Sequence, residues 1–428
     1  DEERDAEQRL SFLVELGHLR TDEIMDMEGA IEAWTQVLEL QPDSIDAYDA
    51  LEQLYMDTMK FDPAVTLLQD KLVLLEEVGE KIELLDRIAI LQEESLNQWA
   101  EAADTRKLIL ELQPDNLDQY ERISAIYEAH TEWKSLAQLL VNRLEVEEES
   151  EEKIALLTRV AQLRDEKLED DAGAMEAIIE ALAIEGDNPD LLNMGERIAE
   201  RSELWVLLHT MWSSVVRGLE DEQQKVDILI KLGELTHRKL ERTEESITWF
   251  EAVLEVNDEN EKALVSLVEL YEEMEAWEAL AQALETLSDV IPDFKKQIDY
   301  SLLLGRTLYQ RLEDKERAQR AYRKALELDP TEEAAVEALQ TLYTETEDWA
   351  ALIEILGMRS ALHPEEDTQL KLISGELTEV QLGEPLKAAE LYEELINYDP
   401  GATEAFERLE RIYKEHDEWS RLGETYEK

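Results

Sequence analysis

Apolar positions along this chain fall at helical spacing. Around Trp277, Leu267, Leu270 and Met274 stand at i, i+3 and i+7, and Ala279, Leu280 and Leu284 resume the pattern beyond the ring. Strand-like alternation is absent. Gly (14) and Pro (9) sit mostly near the breaks between apolar stretches. The pattern therefore predicts helix after helix, an all-α protein.

It also repeats. Helix-ending segments align as LELQPDS at 38, LELQPDN at 110, AIEGDN at 183, LEVNDEN at 254, LELDPTE at 326 and INYDPGA at 396. Their last residues, Ser44, Asn116, Asn188, Asn260, Glu332 and Ala402, are spaced by 72, 72, 72, 72 and 70. An aromatic keeps the same ruler at Phe61, Trp133, Trp205, Trp277, Trp349 and Trp419. A tyrosine precedes it at Tyr55, Tyr127, Tyr271, Tyr343 and Tyr413, with Ala199 as the exception. Small residues recur at Gly17, Ala89, Ala161, Gly233, Gly305 and Gly375. Each period accommodates four helices, or two antiparallel hairpins of about 36 residues each.

One hairpin of each pair has a familiar pattern. In LLLGRTLYQRLEDKERAQRAYRKALELDP (302–330), Gly305, Leu308, Ala318, Tyr322, Ala325 and Pro330 hold the small, aromatic and proline positions. The segment resembles the tetratricopeptide repeat, with the loop before Ala318 one residue longer than that family's usual pattern. The resemblance is also good at AIEAWTQVLELQPD and KAAELYEELINYDP, and weaker near 183, where Gly186 replaces the proline. The alternating hairpin keeps only its aromatic-then-Trp signature and is a divergent relative; the two types together cover the chain. The resemblance implies a right-handed superhelical α-solenoid of about twelve stacked hairpins. It reads as a single domain, 1–428, with internal boundaries 1–44, 45–116, 117–188, 189–260, 261–332, 333–402 and 403–428. At roughly 10 Å per layer its contour is about 120 Å.

Physical reasons support these residue types. Small residues let paired helices approach, Tyr322 fills the space they leave, and Pro330 ends the helix. A lone hairpin cannot bury its apolar face, so it stacks on its neighbours. The period-locked Trp begins the second helix of its hairpin and reads as framework, wedged on the first helix and the preceding unit. Trp34, Trp99, Trp212 and Trp249 lie off the ruler at helix-packing positions.

Composition narrows the function. With 42 Lys+Arg against 105 Asp+Glu, the formal charge is −63. That charge disfavours phosphate backbones and anionic lipid, and it would attract a basic protein partner. It equally suits solubility or high-salt adaptation. There is no cysteine, which excludes disulfides and thiolate chemistry. No apolar run is long enough to cross a bilayer. The compartment stays open between a bacterial cytoplasm and periplasm. The six histidines form no i, i+4 pair, and no HExxH, glycine-rich phosphate loop or nucleophile elbow occurs. Acidic runs such as EVEEESEE (145–152) lack the order of a calcium loop. The sequence predicts no enzyme, cofactor or metal site.

Two classes remain: a scaffold that binds a partner protein or peptide, and a structural element that assembles with its own copies. In the resembling family the first helix of each hairpin lines a groove. Its inward positions map here to His18, Ile90, Gln162, Glu234, Arg306 and Glu376, and three residues further on to Thr21, Glu93, Asp165, His237, Tyr309 and Glu379. These vary along the chain while the frame does not. Only Arg306 among them is a permanent cation, so a basic clamp for a peptide carboxylate is not expected. Two further expectations concern the array. It starts and stops in repeat-like helices without a polar cap, so it is expected to continue in a longer protein or to bury its ends in contacts. A weak junction is expected between 183 and 200, where Gly186, Gly195 and Ala199 all break the ruler, unless Met194, Leu204 or Trp212 fills the gap.

Overall fold

The computed structural model describes residues 2–427. Among them are 24 α-helices and no strand. They form two compact units, Asp1–Gly218 and Leu219–Lys428. The first holds α1 (Glu2–His18), α2 (Met27–Leu40), α3 (Ile45–Asp57), α4 (Phe61–Leu74), α5 (Val78–Ile90), α6 (Trp99–Leu112), α7 (Leu117–Ala129), α8 (Trp133–Val146), α9 (Ser150–Glu166), α10 (Asp171–Ile184), α11 (Pro189–Arg201) and α12 (Trp205–Val215). The second holds α13 (Glu222–Arg238), α14 (Thr243–Val256), α15 (Glu261–Glu273), α16 (Trp277–Val290), α17 (Phe294–Gln310), α18 (Lys315–Leu328), α19 (Glu333–Glu345), α20 (Trp349–Leu362), α21 (Asp367–Glu376), α22 (Pro385–Tyr398), α23 (Thr403–Glu415) and α24 (Trp419–Glu427). Within each unit every helix packs on the next, giving an α-solenoid stack of six hairpins. Three first helices are prolonged by a π-helical turn, at Leu19–Ile24, Leu91–Ser95 and Leu377–Gln381.

The 72-residue ruler measures helix starts. Ser44, Asn116, Asn188, Asn260, Glu332 and Ala402 are the N-caps of α3, α7, α11, α15, α19 and α23. Asn188 and Asn260 also accept backbone N–H groups with their side chains, which satisfies donors that a helix start leaves unpaired. Phe61 and the five ruler tryptophans are the first residues of α4, α8, α12, α16, α20 and α24. Each of the twelve hairpin turns holds one residue at φ between 52° and 67°, and Gly383 is the single glycine among them. The next backbone N–H closes the turn; that of Ala276, for instance, donates to the Tyr271 carbonyl at 2.9 Å.

The small residues seat a side chain 17 positions later. A Cβ on Gly17, Gly233 or Gly305 would come within 2.5–2.7 Å of the Trp34, Phe250 or Tyr322 ring, and Gly375 lies as tightly under Tyr392. Thirteen residues after each small position stands Ala30, Ala102, Ala174, Ser246, Ala318 or Ala388, all fully buried. Ser246 donates its hydroxyl to the Gly233 carbonyl at 2.8 Å, across the closest approach of α13 and α14. Where the small residue is Ala, no ring follows: 17 positions after Ala161 stands Ile178, and 17 after Ala89 stands Arg106. Arg106 is 1% exposed. Its guanidinium meets Asp86 at 2.9 Å, Gln119 at 3.0 Å and Glu93 at 3.3 Å. A buried cation needs such partners to offset its lost hydration.

Two of the ruler tryptophans carry a cation from the following hairpin on their rings. Trp277 is half-buried, and the Arg311 guanidinium of the following hairpin lies 4.5 Å from its ring centroid. Lys167 covers Trp133 likewise at 5.8 Å. The ring opens a second helix, so the turn of the next hairpin lies over it, and a cation on its face is favourable.

Candidate partner-binding surface

The odd-numbered helices are the first helices of the hairpins, and they carry all the candidate groove residues or their π-helical extensions. In the first unit, Asp165 on α9 is buried and receives Arg197 at 2.8 Å and Arg201 at 2.7 Å, both on α11. Glu52 on α3 pairs with Arg87 on α5, and Glu128 on α7 with Arg159 on α9. Glu93 turns instead to Arg106 of its own hairpin. Thr21 donates to the Gly17 carbonyl at 2.9 Å. His18 lies edge-on to Trp34, 5.0 Å between centroids. Ile90 is half-buried and Gln162 exposed.

The second unit follows the same scheme more completely. Glu234 on α13 meets Lys262 on α15 at 2.7 Å, and His237 lies 4.0 Å from Glu273. Tyr309 on α17 donates to Glu345 on α19 at 2.8 Å. Lys315 and then Tyr309 hold the Glu345 carboxyl below the usual carboxylate range by hydrogen bonding to its charged form. Glu376 and Glu379 at the end of the α21 helix both pair with Arg408 on α23, and Glu379 also with Arg411. Arg306 is exposed and has no ion pair among the described residues.

The sequence positions thus share one side-chain layer within each unit, but most are not idle ligands. Six of the twelve, Asp165, Glu234, His237, Tyr309, Glu376 and Glu379, bridge consecutive first helices, to partners 28 to 36 residues further along the chain. Exposed pairs of this kind contribute roughly 0–1 kcal/mol each, so they align the face more than they stabilise it. His18, Ile90, Gln162 and Arg306 have no partner on a neighbouring first helix, and Thr21 and Glu93 are held within their own hairpins. The bridging arginines escaped sequence reasoning. Their signal is a basic residue 32 or 36 positions after an acidic candidate.

The even-numbered helices form the other layer and are bridged separately. Arg317 of α18 reaches Glu278 and Glu285 of α16 at 2.9 and 3.2 Å, and Lys60 before α4 reaches Glu28 of α2 at 2.6 Å. Among the described residues, no group of three His, Asp or Glu could hold a metal ion, and no helix is long and apolar enough to cross a membrane.

With this geometry in view, comparison with known proteins is informative in one segment. The tetratricopeptide repeat family model matches residues 257–400. The match covers about a third of the chain, from just before α15 to the end of α22. No curated protein matches the sequence. Similar solved structures include YrrB, described as a tetratricopeptide-repeat protein with an unusual peptide-binding site (17% identity, 43% of this chain, 90% of that one, TM-score 0.27). Others are the Naa15/Naa10 assembly bound to HypK (14%, 99%, 71%, 0.31) and a tetratricopeptide-repeat protein from Parabacteroides merdae (17%, 61%, 99%, 0.26). Scores this low fix neither curvature nor partner.

Proposed function

We propose that the protein is a non-enzymatic scaffold that binds a partner protein or peptide along the layer of first helices. One observation carries this reading. Within each unit the first helices are bridged by side chains from the varying positions, while the small residues beneath them stay Gly or Ala in every copy. A surface that is ordered yet chemically different at every step suits the recognition of an extended partner. The net charge of −63 favours a basic partner. Unpaired positions such as Gln162 and Arg306 would supply contacts, and the paired carboxylates would supply field.

Affinity capture with the full chain, followed by mass spectrometry, tests this. The expected result is one stoichiometric foreign protein whose recovery falls at least tenfold with Gln162→Lys plus Glu93→Lys, or with Arg306→Glu plus Glu234→Lys. Recovery of the chain alone, with large assemblies in light scattering, would favour self-assembly instead.

A further inference from the structure

We propose a second binding site in the other layer: the recess between α6, α7 and α8, which takes a peptide segment of a partner protein carrying one carboxylate beside an apolar side chain. The proposal does not depend on the layer of first helices.

The recess is a cavity of about 610 Å³. Its floor is the buried rings of Tyr120 and Tyr127, its wall Leu139, and its rim Lys107 and Lys134. The chain itself displays what such a recess holds when it is filled. At the equivalent place 216 residues later, the Arg323 guanidinium of α18 lies over the Tyr343 ring, 5.5 Å from its centroid, and meets Glu354 of α20 at 3.3 Å. Cation, ring and carboxylate come from three successive helices.

At α6–α8 two of these three members are present. Lys107 lies over Tyr127, also 5.5 Å from the centroid. The residue standing for Glu354 is Gln138, whose amide is tied to Asn142 at 3.0 Å. The carboxylate from the facing helix is missing, and Lys107 takes Asp104 from its own helix instead, at 3.0 Å. Lys134 borders the same space and has no ion pair among the described residues, in a chain where 105 acidic residues outnumber 42 basic ones. The Lys107 ammonium over the Tyr127 ring and the Lys134 ammonium at the border complement a single carboxylate. Glu111, also at the edge, disfavours an acidic run. Leu110, partly exposed at the recess, offers apolar area to the neighbouring side chain. At about 0.15 M salt the screening length is about 8 Å, so remote carboxylates of the chain act weakly on an occupant of the recess.

The recess 144 residues later has the opposite sign. Its cavity of about 440 Å³ is bordered by Glu251, Asp258 and Glu259, and Tyr271 donates to Glu251 at 2.7 Å. It serves as the internal control.

The test uses the full chain and dye-labelled, end-blocked heptapeptides with a central Glu flanked by Leu, Ile, Phe or Tyr, read by fluorescence anisotropy at 0.15 M salt. Matched peptides carry Gln in place of Glu. Saturable binding is expected for the Glu peptides, at least tenfold stronger than for the Gln peptides. Lys107→Met with Lys134→Met should reduce it at least tenfold. Gln138→Glu, which supplies the missing carboxylate from within and leaves the fold intact, should do the same. Absence of saturable binding, equal binding of Gln peptides, undiminished binding to the Gln138→Glu variant, or full displacement by 10-fold excess inorganic phosphate would overturn the proposal; the last would mark a general anion site.

Discussion

The junction built by α10, α11 and α12 and the one built by α14, α15 and α16 are the same design, executed in two ways. In the second, Leu267 of α15 and the small Ala283 of α16 are both buried and border the same cavity. In the first, the positions 72 residues earlier are Gly195 and Met211. A Cβ on Gly195 would collide with the Met211 sulfur, and Met211 is fully buried. Large and small have changed sides, so the volume is kept although the ruler is broken. A second exchange accompanies the first. Tyr271 bonded to Glu251 has Ala199 and Ile179 as its counterparts 72 residues earlier. Without the phenol, α10 packs directly on α12, with Ile178 also against Gly195. The α14–α16 junction keeps an open, acidic recess, and the α10–α12 junction is apolar and closed. The frame constrains the volume between helices and leaves free which helix supplies it.

At 183–200 the structure shows both sides of the expectation: α11 packs more sparsely on α12 than α15 does on α16, while α10 reaches α12 directly and Met211 lies over Gly195. The side chains nearest the missing Cβ of Gly195 are Met211 and Ile178, neither of them among Met194, Leu204 and Trp212. Sequence reasoning missed Met211 because it sits in LLHTMWSSVV, where apolar residues occur on every side of the helix and no single position stands out.

The largest effect that can break the comparison is Met211→Ala, which empties the space over Gly195. It should cost about 2–5 kcal/mol in denaturant unfolding of the full chain. Gly195→Leu alone overfills the same space and should cost about 1–3 kcal/mol. The double variant Gly195→Leu with Met211→Ala copies the α15–α16 arrangement and should recover most of the loss. Additive costs in that cycle would mean that the two positions do not share one volume.

Alkaline pH sharpens the contrast. Burial, and next the hydrogen bond to Glu251, raise the Tyr271 phenol far above its ordinary value of 10.0. Its contribution is intact below that value. As pH rises further, the unfolded chain ionises while the folded phenol stays neutral, so stability is lost with each added unit. The α14–α16 junction should loosen above pH 10, with the change flattened by Tyr271→Phe. The α10–α12 junction, with Ala199 in that place, should lack this component. Amide exchange of α15 and α11 measured across pH 9 to 11, corrected for intrinsic rates, checks it.

The smallest effect concerns the turns, which the two junctions share. Glu203 (φ 55°) and Glu275 (φ 53°) occupy the left-handed region that favours glycine. Replacing either by Gly should raise stability by about 0.5–1 kcal/mol, equally in both places. Unequal gains in thermal unfolding would place part of the difference in the turns.

Much of the fold is legible in the sequence because helix starts are chemically marked. The aligned residues from Ser44 to Ala402 are N-caps, and the tryptophans are first helical residues, so a count of spacing locates both. The Gly305–Tyr322 fit is legible too, since only a glycine leaves room for a ring at that distance. Arg106 in place of the ring is not, because a buried arginine is held by Asp86, Gln119 and Glu93 from three different segments. The candidate surface is half legible. The twelve positions share a layer within each unit, but acidic residues are so frequent that the arginines binding Asp165, Glu376 and Glu379 could not be singled out by spacing.

Hydrogen exchange of the free, full-length chain tests the central claim most directly: that the broken ruler hides an equally filled junction. Amides of residues 189–215 are predicted to be protected as well as those of 261–287 near neutral pH. Protection lower by tenfold or more across α11 and α12 would contradict it, and would show that Met211 does not restore what Gly195 and Ala199 remove.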